Sequence, residues 1–300
     1  MPRGNRVNAA GPRAASPAKH KTAAGPRPKL GQHFLVDRNI ASRIVEALGD
    51  VAQATVVEIG PGRGVLTDLL AVKAGHVIAI ELDRVLAAQL RMKYAARNNV
   101  EIIEGNILTI DLGTVLGPGP GALAGLTPVR TQITRVIGNI PYYITSDILL
   151  RLFSFHRQFD SMVLMVQREV AERIAARPGR SEYGLLSATA QLYAKVEKVF
   201  TVPAVAFAPP PKVESAVLRL IVAPQFQRLK VQEHPFIEFL KLSFAQKRKT
   251  LVNNLKGRYE AAALKAAIAK AGVSPDARAE TLPLEKAASL FRQLTGKALS

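Results

Sequence analysis

The feature that most constrains this chain is a glycine-rich turn set between a strand and a helix. TVVEIG (residues 55–60) has the pattern of a short buried strand, PGRG follows it, and VLTDLLAVKAG then reads as a helix. HVIAIELD (residues 76–83) supplies a second strand and RVLAAQLRMKYAAR a second helix, which completes a βαβ unit. NVEIIEGN (99–106), TRVIGNIPYYI (134–144) and SMVLMVQ (161–167) continue as strands, with SDILLRLFSF and REVAERIAAR as helices and KVEKVFTV and ESAVLRLIV as later strands. Such alternation predicts an open, largely parallel sheet with ligands beyond the carboxyl ends of its strands. Ahead of it, GQHFLVDRNIASRIVEAL reads as an approach segment and an amphipathic helix with Ile40, Ile44, Val45 and Leu48 on one stripe. The Gly/Pro-rich connection 113–129 reads as a surface loop. Beyond Pro224 every segment is helical, from EHPFIEFLKLSFAQKRKTLVNNLKG through EAAALKAAIAKAG to PLEKAASLFRQLTG. The expected organisation is a disordered tail (1–29), an α/β domain (30–223) and a small all-helical domain (224–300).

Charge is distributed unevenly along this plan. The balance is +18 overall: residues 1–29 hold seven basic and no acidic groups, residues 30–223 hold 20 and 17, and residues 224–300 hold 14 and 6. A near-neutral body with basic ends suits a protein whose ends hold a phosphate backbone while the body does something else. The tail is rich in Ala, Pro, Gly and Arg and carries too little apolar material to offset the cost of ordering it. With no Cys there is no disulfide, thiolate nucleophile or Cys-ligated zinc, and the five His are scattered without ligand spacing, so no metal is expected. No apolar run is long enough to span a bilayer, and a soluble, cytoplasmic protein is the expectation.

Gly60, Gly62 and Gly64 would let a ligand approach the backbone, and Glu81, ending the second strand, would accept both ribose hydroxyls of a nucleoside. NAD meets those demands as well. Two details favour another ligand: Val65 stands where the third dinucleotide glycine would fall, and Glu58 puts negative charge beside a would-be pyrophosphate. S-adenosylmethionine (SAM) has a sulfonium, an ammonium and an adenosine but no phosphate. The plain alternative is a β-turn-α unit whose glycines serve packing alone. Asn106, ending the third strand, lies where an adenine edge would sit, or is an ordinary strand-to-turn Asn.

After the fourth strand comes Gly138-Asn139-Ile140-Pro141-Tyr142-Tyr143. The amine of an adenine has its lone pair delocalised into the ring. Acceptors aimed at its two N–H groups would pull the nitrogen toward a tetrahedral, nucleophilic geometry and stabilise the charge that develops on methylation. The Asn139 side-chain carbonyl and the Ile140 main-chain carbonyl can do this. Pro141 would hold the turn and Tyr142 would stack on the base, a contact worth ~1–3 kcal/mol. Phe207, ahead of the rigid run Pro209-Pro210-Pro211-Lys212, would bring a second ring to the base and Lys212 to a phosphate. The alternatives are a hydrophobic Pro-Tyr-Tyr turn and a core Phe207.

Jointly, GQHFL, EIGPGRGVLT, IELD, NIPYYI, FAPPPKVESAVLRL and FAQKRKTLVNNL resemble the ribosomal RNA adenine N6-dimethyltransferases, most of all their bacterial small-subunit members, over about residues 28 to 295. The resemblance implies a Rossmann-like, SAM-dependent methyltransferase domain with a helical C-terminal domain, and dimethylation of two adjacent adenosines near the 3′ end of small-subunit rRNA in an immature subunit. A monomer that needs no metal and no membrane is expected. Carried over by motif, SAM contacts fall on His33, Leu35, Gly60, Gly62, Glu81, Asn106 and Asn139. The target base would meet Asn139, Ile140, Pro141, Tyr142 and Phe207, and RNA phosphates would meet Lys212, Lys247, Arg248 and Lys249 on a basic helix start. Three positions depart from the commonest pattern: His33 stands for Asn, Asn106 for Asp, and Tyr143 for Asn. A protonated His33 would face a cationic ligand, and Asn106 keeps the acceptor but loses a charge. Competing readings are a methyltransferase of large-subunit rRNA and a non-catalytic assembly factor of the same fold.

Overall fold

Strand runs that are apolar on both faces need helices on both faces, and the chain is built that way. The computed structural model describes residues 33–117 and 133–296, so the expected tail disorder and most of the connection 113–129 lie outside the described residues. The strands are β1 (Phe34–Leu35), β2 (Thr55–Ile59), β3 (His76–Glu81), β4 (Val100–Glu104), β5 (Thr134–Asn139), β6 (Ser161–Gln167), β7 (Ala194–Val202), β8 (Phe207–Ala208) and β9 (Ser215–Val222). Seven form one sheet in the order β4-β3-β2-β5-β6-β9-β7. The run from β4 to β6 is parallel, and β9 and β7 add antiparallel strands at one edge. β1 and β8 pair apart from it as an antiparallel ribbon.

The helices between strands are α1 (Arg38–Glu46), α2 (Val65–Lys73), α3 (Arg84–Lys93), α4 (Leu112–Leu116), α5 (Thr145–Ser154), α6 (Arg168–Ala175) and α7 (Leu185–Tyr193). Side chains set several of their starts. Asp37 Oδ1 accepts from Asn39 N and Ile40 N to cap α1, and Asp83 Oδ1 accepts from Val85 N and Leu86 N to cap α3.

Four local expectations need correction. The fourth strand stops at Asn139, because Pro141 has no N–H for a ladder, and a 3₁₀ turn over Tyr142–Ile144 leads into α5. The start of the expected loop is α4, capped by Asp111. Helix α7 is an addition to the expected elements: six of its residues are buried, so it carries no polar face to give a helical period. The basic run after Phe244 is a turn, not a helix start. Thr250 caps the next helix there, and Asn254 Nδ2 holds the bend by donating to Ser243 O (2.7 Å) and Gln246 O (3.2 Å).

The last strand ends at Val222 and the next helix begins at Phe226. Helices α8 (Phe226–Leu229), α9 (Glu233–Ser243), α10 (Leu251–Leu255), α11 (Ala261–Lys270) and α12 (Leu284–Thr295) follow. Phe236, Leu240 and Phe291 belong to the same apolar cluster as Leu152, Leu164 and Leu218, so helices and sheet share a core. The described residues form one compact unit. Among the described residues no helix is long and apolar enough to cross a membrane.

Candidate active site

Parallel pairing of β2 with β3 and with β5 brings three strand ends to one edge, where the chain leaves the sheet. After β2, Gly60 and Gly62 take left-handed φ values of +65° and +58°, a region open to glycine at no steric cost. That conformation turns Gly62 N toward the end of β3, where it donates to Glu81 Oε2 at 2.9 Å. Asp83 N donates to Oε1 at the same distance. Glu81 is 3% exposed. Each of its oxygens accepts one backbone N–H and has a second lone pair, so two acceptors remain side by side, which is the acceptor set that the two hydroxyl donors of a ribose diol require. The residues present therefore fit the nucleoside of SAM.

Glu58 does not play the part its sequence position suggested. It is 1% exposed and accepts from Thr67 Oγ1 of α2 at 2.7 Å, so it is bonded within the protein core. Burial pushes its pKa up to about 7, with nearby Glu81 adding to the rise, so its charge is partly lost near neutral pH. A carboxyl that is partly neutral repels a pyrophosphate less than a full charge would. Asn106 is bonded in its own turn, with Oδ1 accepting from Leu108 N at 3.0 Å; a second lone pair is left for an adenine amine.

On the other side of β2, β5 ends in the reacting segment. At Gly138 a Cβ would stand 2.8 Å from Ile59 O, so only glycine lets β5 press this closely on β2. Ile140 N donates to Met165 O at 2.9 Å, and Thr145 Oγ1 donates to Pro141 O at 3.2 Å. These bonds fix the main chain just after Asn139. Asn139 Nδ2 donates to the His33 main-chain carbonyl at 3.2 Å, which leaves the Asn139 carbonyl oxygen as the end available to a substrate N–H. Tyr142 is half-buried with its hydroxyl 2.7 Å from Ser215 Oγ.

The third component is the β1–β8 ribbon. Phe34 pairs with Ala208 and Leu35 with Phe207. Phe34 lies against the glycine turn, with Arg63 stacked over its ring at 4.6 Å and a Gly62 Cβ position 3.1 Å away. His33, Gly62, Asn139 and Tyr142 are thus brought together. Leu35 and Phe207 have side chains in the core, and at 3% exposure Phe207 corrects the expectation of an open stacking platform: its ring packs in the cluster with Val202, Ala206 and Val217. Lys212 is exposed, three residues past Pro209. Lys247, Arg248 and Lys249 are exposed on the turn between α9 and α10, where Lys247 Nζ donates to Ser181 O at 2.8 Å. No bond found among the described residues joins them to the strand ends.

Sequence reasoning missed Ser215, which locks the Tyr142 phenol, and the Pro209 carbonyl, which lies 2.8 Å from His33 Nδ1. Ser215 closes the quoted run PPPKVES, so its place was visible but its partner, 73 residues away, was not.

A family model described as ribosomal RNA adenine dimethylase matches residues 24–295. The chain belongs to that family. Its members are adenine dimethyltransferases of the SAM-dependent class, and the seven-stranded sheet and strand-end site are the corresponding Rossmann-like architecture. The ribosomal RNA small subunit methyltransferase A of Koribacter versatilis is 54% identical over 92% of this chain and 97% of its own length. Its namesake from Acidobacterium capsulatum is 49% identical over 95% of each. Among solved structures, a dimethyladenosine transferase from Plasmodium falciparum superposes with a TM-score of 0.65 at 28% identity, covering 86% of this chain and 96% of the other. The 23S rRNA methyltransferase ErmE superposes at 0.63 and 28% identity, covering 87% and 99%.

Proposed function

We propose that this dimethyltransferase acts on small-subunit rRNA, converting two adjacent adenosines near the 3′ end to N6,N6-dimethyladenosine in an immature subunit. The observation that carries the reading is Asn139 at the end of β5: its Nδ2 is occupied by His33 O, so a carbonyl acceptor is presented at the same sheet edge as Glu81, with β2 between them. SAM, when bound, supplies an electrophilic methyl group on a sulfonium. Glu81 and the glycine turn hold the nucleoside, with Asn106 at the adenine edge. Asn139 Oδ1 and the Ile140 carbonyl accept from the two N–H groups of the target amine and localise its lone pair on N6. With SAM bound, the methyl would pass from its sulfonium to N6, and the positively charged N6, stabilised by those two carbonyls, would give its proton to water. No general base is required, because the protonated product amine is strongly acidic. Tyr142, braced through Ser215, offers a ring for stacking on a base taken out of its helix. Lys212, Lys247, Arg248 and Lys249 supply phosphate contacts.

The relatives at 49–54% identity carry small-subunit names, whereas the 23S methyltransferase is 28% identical, which favours the small subunit. The test is incubation with labelled SAM and small subunits lacking the modification, followed by mapping of labelled nucleotides by mass spectrometry. Two adjacent dimethyladenosines are expected. Label confined to large-subunit rRNA assigns the other substrate, and SAM and subunit binding without label leaves an assembly factor.

A further inference from the structure

His33 stands where three segments meet. Its Nδ1 lies 2.8 Å from Pro209 O, and because a carbonyl only accepts, Nδ1 carries the hydrogen in this contact. Its own main-chain carbonyl accepts from Asn139 Nδ2, and its ring lies 6.3 Å from that of Tyr142 with the planes 26° apart. Continuing the antiparallel register of Phe34 with Ala208 places His33 opposite Pro209. Proline has no N–H to extend the ladder. The imidazole donates to the Pro209 carbonyl from the side chain and so ties the ribbon at its open end.

The two ends of an amide have similar shapes, and a half-turn exchanges donor for acceptor. At Asn139 that exchange would turn Nδ2 toward the incoming amine, donor against donor, and Oδ1 toward His33 O, acceptor against acceptor. The His33 carbonyl therefore selects which end faces the substrate. We infer that His33 is a positioning residue for the methyl acceptor: its Nδ1–H, bonded to the Pro209 carbonyl, holds the backbone carbonyl that fixes the amide orientation of Asn139. The inference rests on the proposed role of Asn139 as acceptor for the target amine.

Three substitutions separate this role from a contact to SAM. An asparagine Nδ2 stands about where imidazole Nδ1 does, whereas a glutamine amide reaches further. With SAM and subunits saturating, His33→Ala is expected to lower the single-turnover rate roughly 10- to 100-fold, as small misplacements of reacting groups do. His33→Asn recovers most of that loss and His33→Gln does not. Equal recovery by both, or a His33→Ala rate that returns to the wild-type value once SAM is saturating, overturns the inference. A second readout needs no substrate: nitrogen-15 NMR of the free protein is expected to show neutral His33 as the Nδ1–H tautomer, and an Nε2–H tautomer overturns it. A wild-type protein that binds subunits but transfers no methyl overturns instead the reading of Asn139 on which the inference depends.

Discussion

The two sides of the site are built differently. On the β3 side, Glu81 is bonded to backbone N–H groups 2 and 19 residues away, so carboxylate, glycine turn and strand are parts of one local βαβ unit. On the β5 side, Asn139, Tyr142 and His33 draw on partners 106, 73 and 176 residues away. The first is a short stretch of chain folding on itself, and the second exists only when the whole sheet and the ribbon have formed. The cofactor end is therefore expected to tolerate disturbance of the acceptor end, while the acceptor end depends on distant segments.

That contrast can be broken in several places, and the largest effect is expected at the acceptor end. Asn139→Ala removes the principal acceptor and is expected to reduce methyl transfer at saturating SAM by about 10²–10³-fold, the cost of losing one preorganised transition-state interaction. A rate within a few-fold of wild type would move the acceptor role elsewhere. Glu58 tests the core beneath the cofactor end. Its folded pKa is raised to about 7 from 4.5, so its contribution to stability is present in full below pH 4.5 and is lost as pH rises through 7. The loss amounts to roughly 3 kcal/mol by about pH 8. Glu58→Gln is expected to remove that slope and to be the more stable protein at high pH, as measured by denaturant unfolding across pH. Parallel stability profiles would show that Glu58 ionises freely. Glu81→Gln weakens a charged acceptor pair, and a 10- to 100-fold rise in SAM dissociation constant is expected, with the rate restored at saturation. Unchanged affinity would place the ribose elsewhere.

The smallest expected effect lies away from both ends. Replacing Lys247 or Arg248 by Ala should lower the salt slope of rRNA binding by about 0.7–0.9 for each phosphate no longer neutralised, while leaving SAM affinity unchanged. An unaltered slope would assign these side chains to structure, in keeping with the bond from Lys247 to Ser181 O.

What could be read from the sequence follows the same contrast. The glycine turn, Glu81 and the main parallel strands were legible because each is a local pattern of spacing and apolar run. The Asn139–Tyr142 segment was legible as chemistry, yet the bond that orients its amide was not, since a carbonyl at residue 33 leaves no mark in the sequence. The two-residue strands β1 and β8 are too short to show any period, and their pairing brings Phe207 into the core, one of the two places the sequence left open for it. Helix α7 is hidden by burial nearly all round. The basic turn reads as helix because Thr250 caps the following helix, a signal lost inside a long helix-forming run.

A double-mutant cycle of Glu81→Gln and Asn139→Ala, read as kcat/KM for SAM in methyl transfer to unmodified small subunits, tests the separation of the two ends most directly. Independent sites add to within about 0.5 kcal/mol, and that is the result expected for two residues with no partner in common. A coupling of about 1 kcal/mol or more, on the order seen for residues of one network, would contradict it and make the strand ends a single unit.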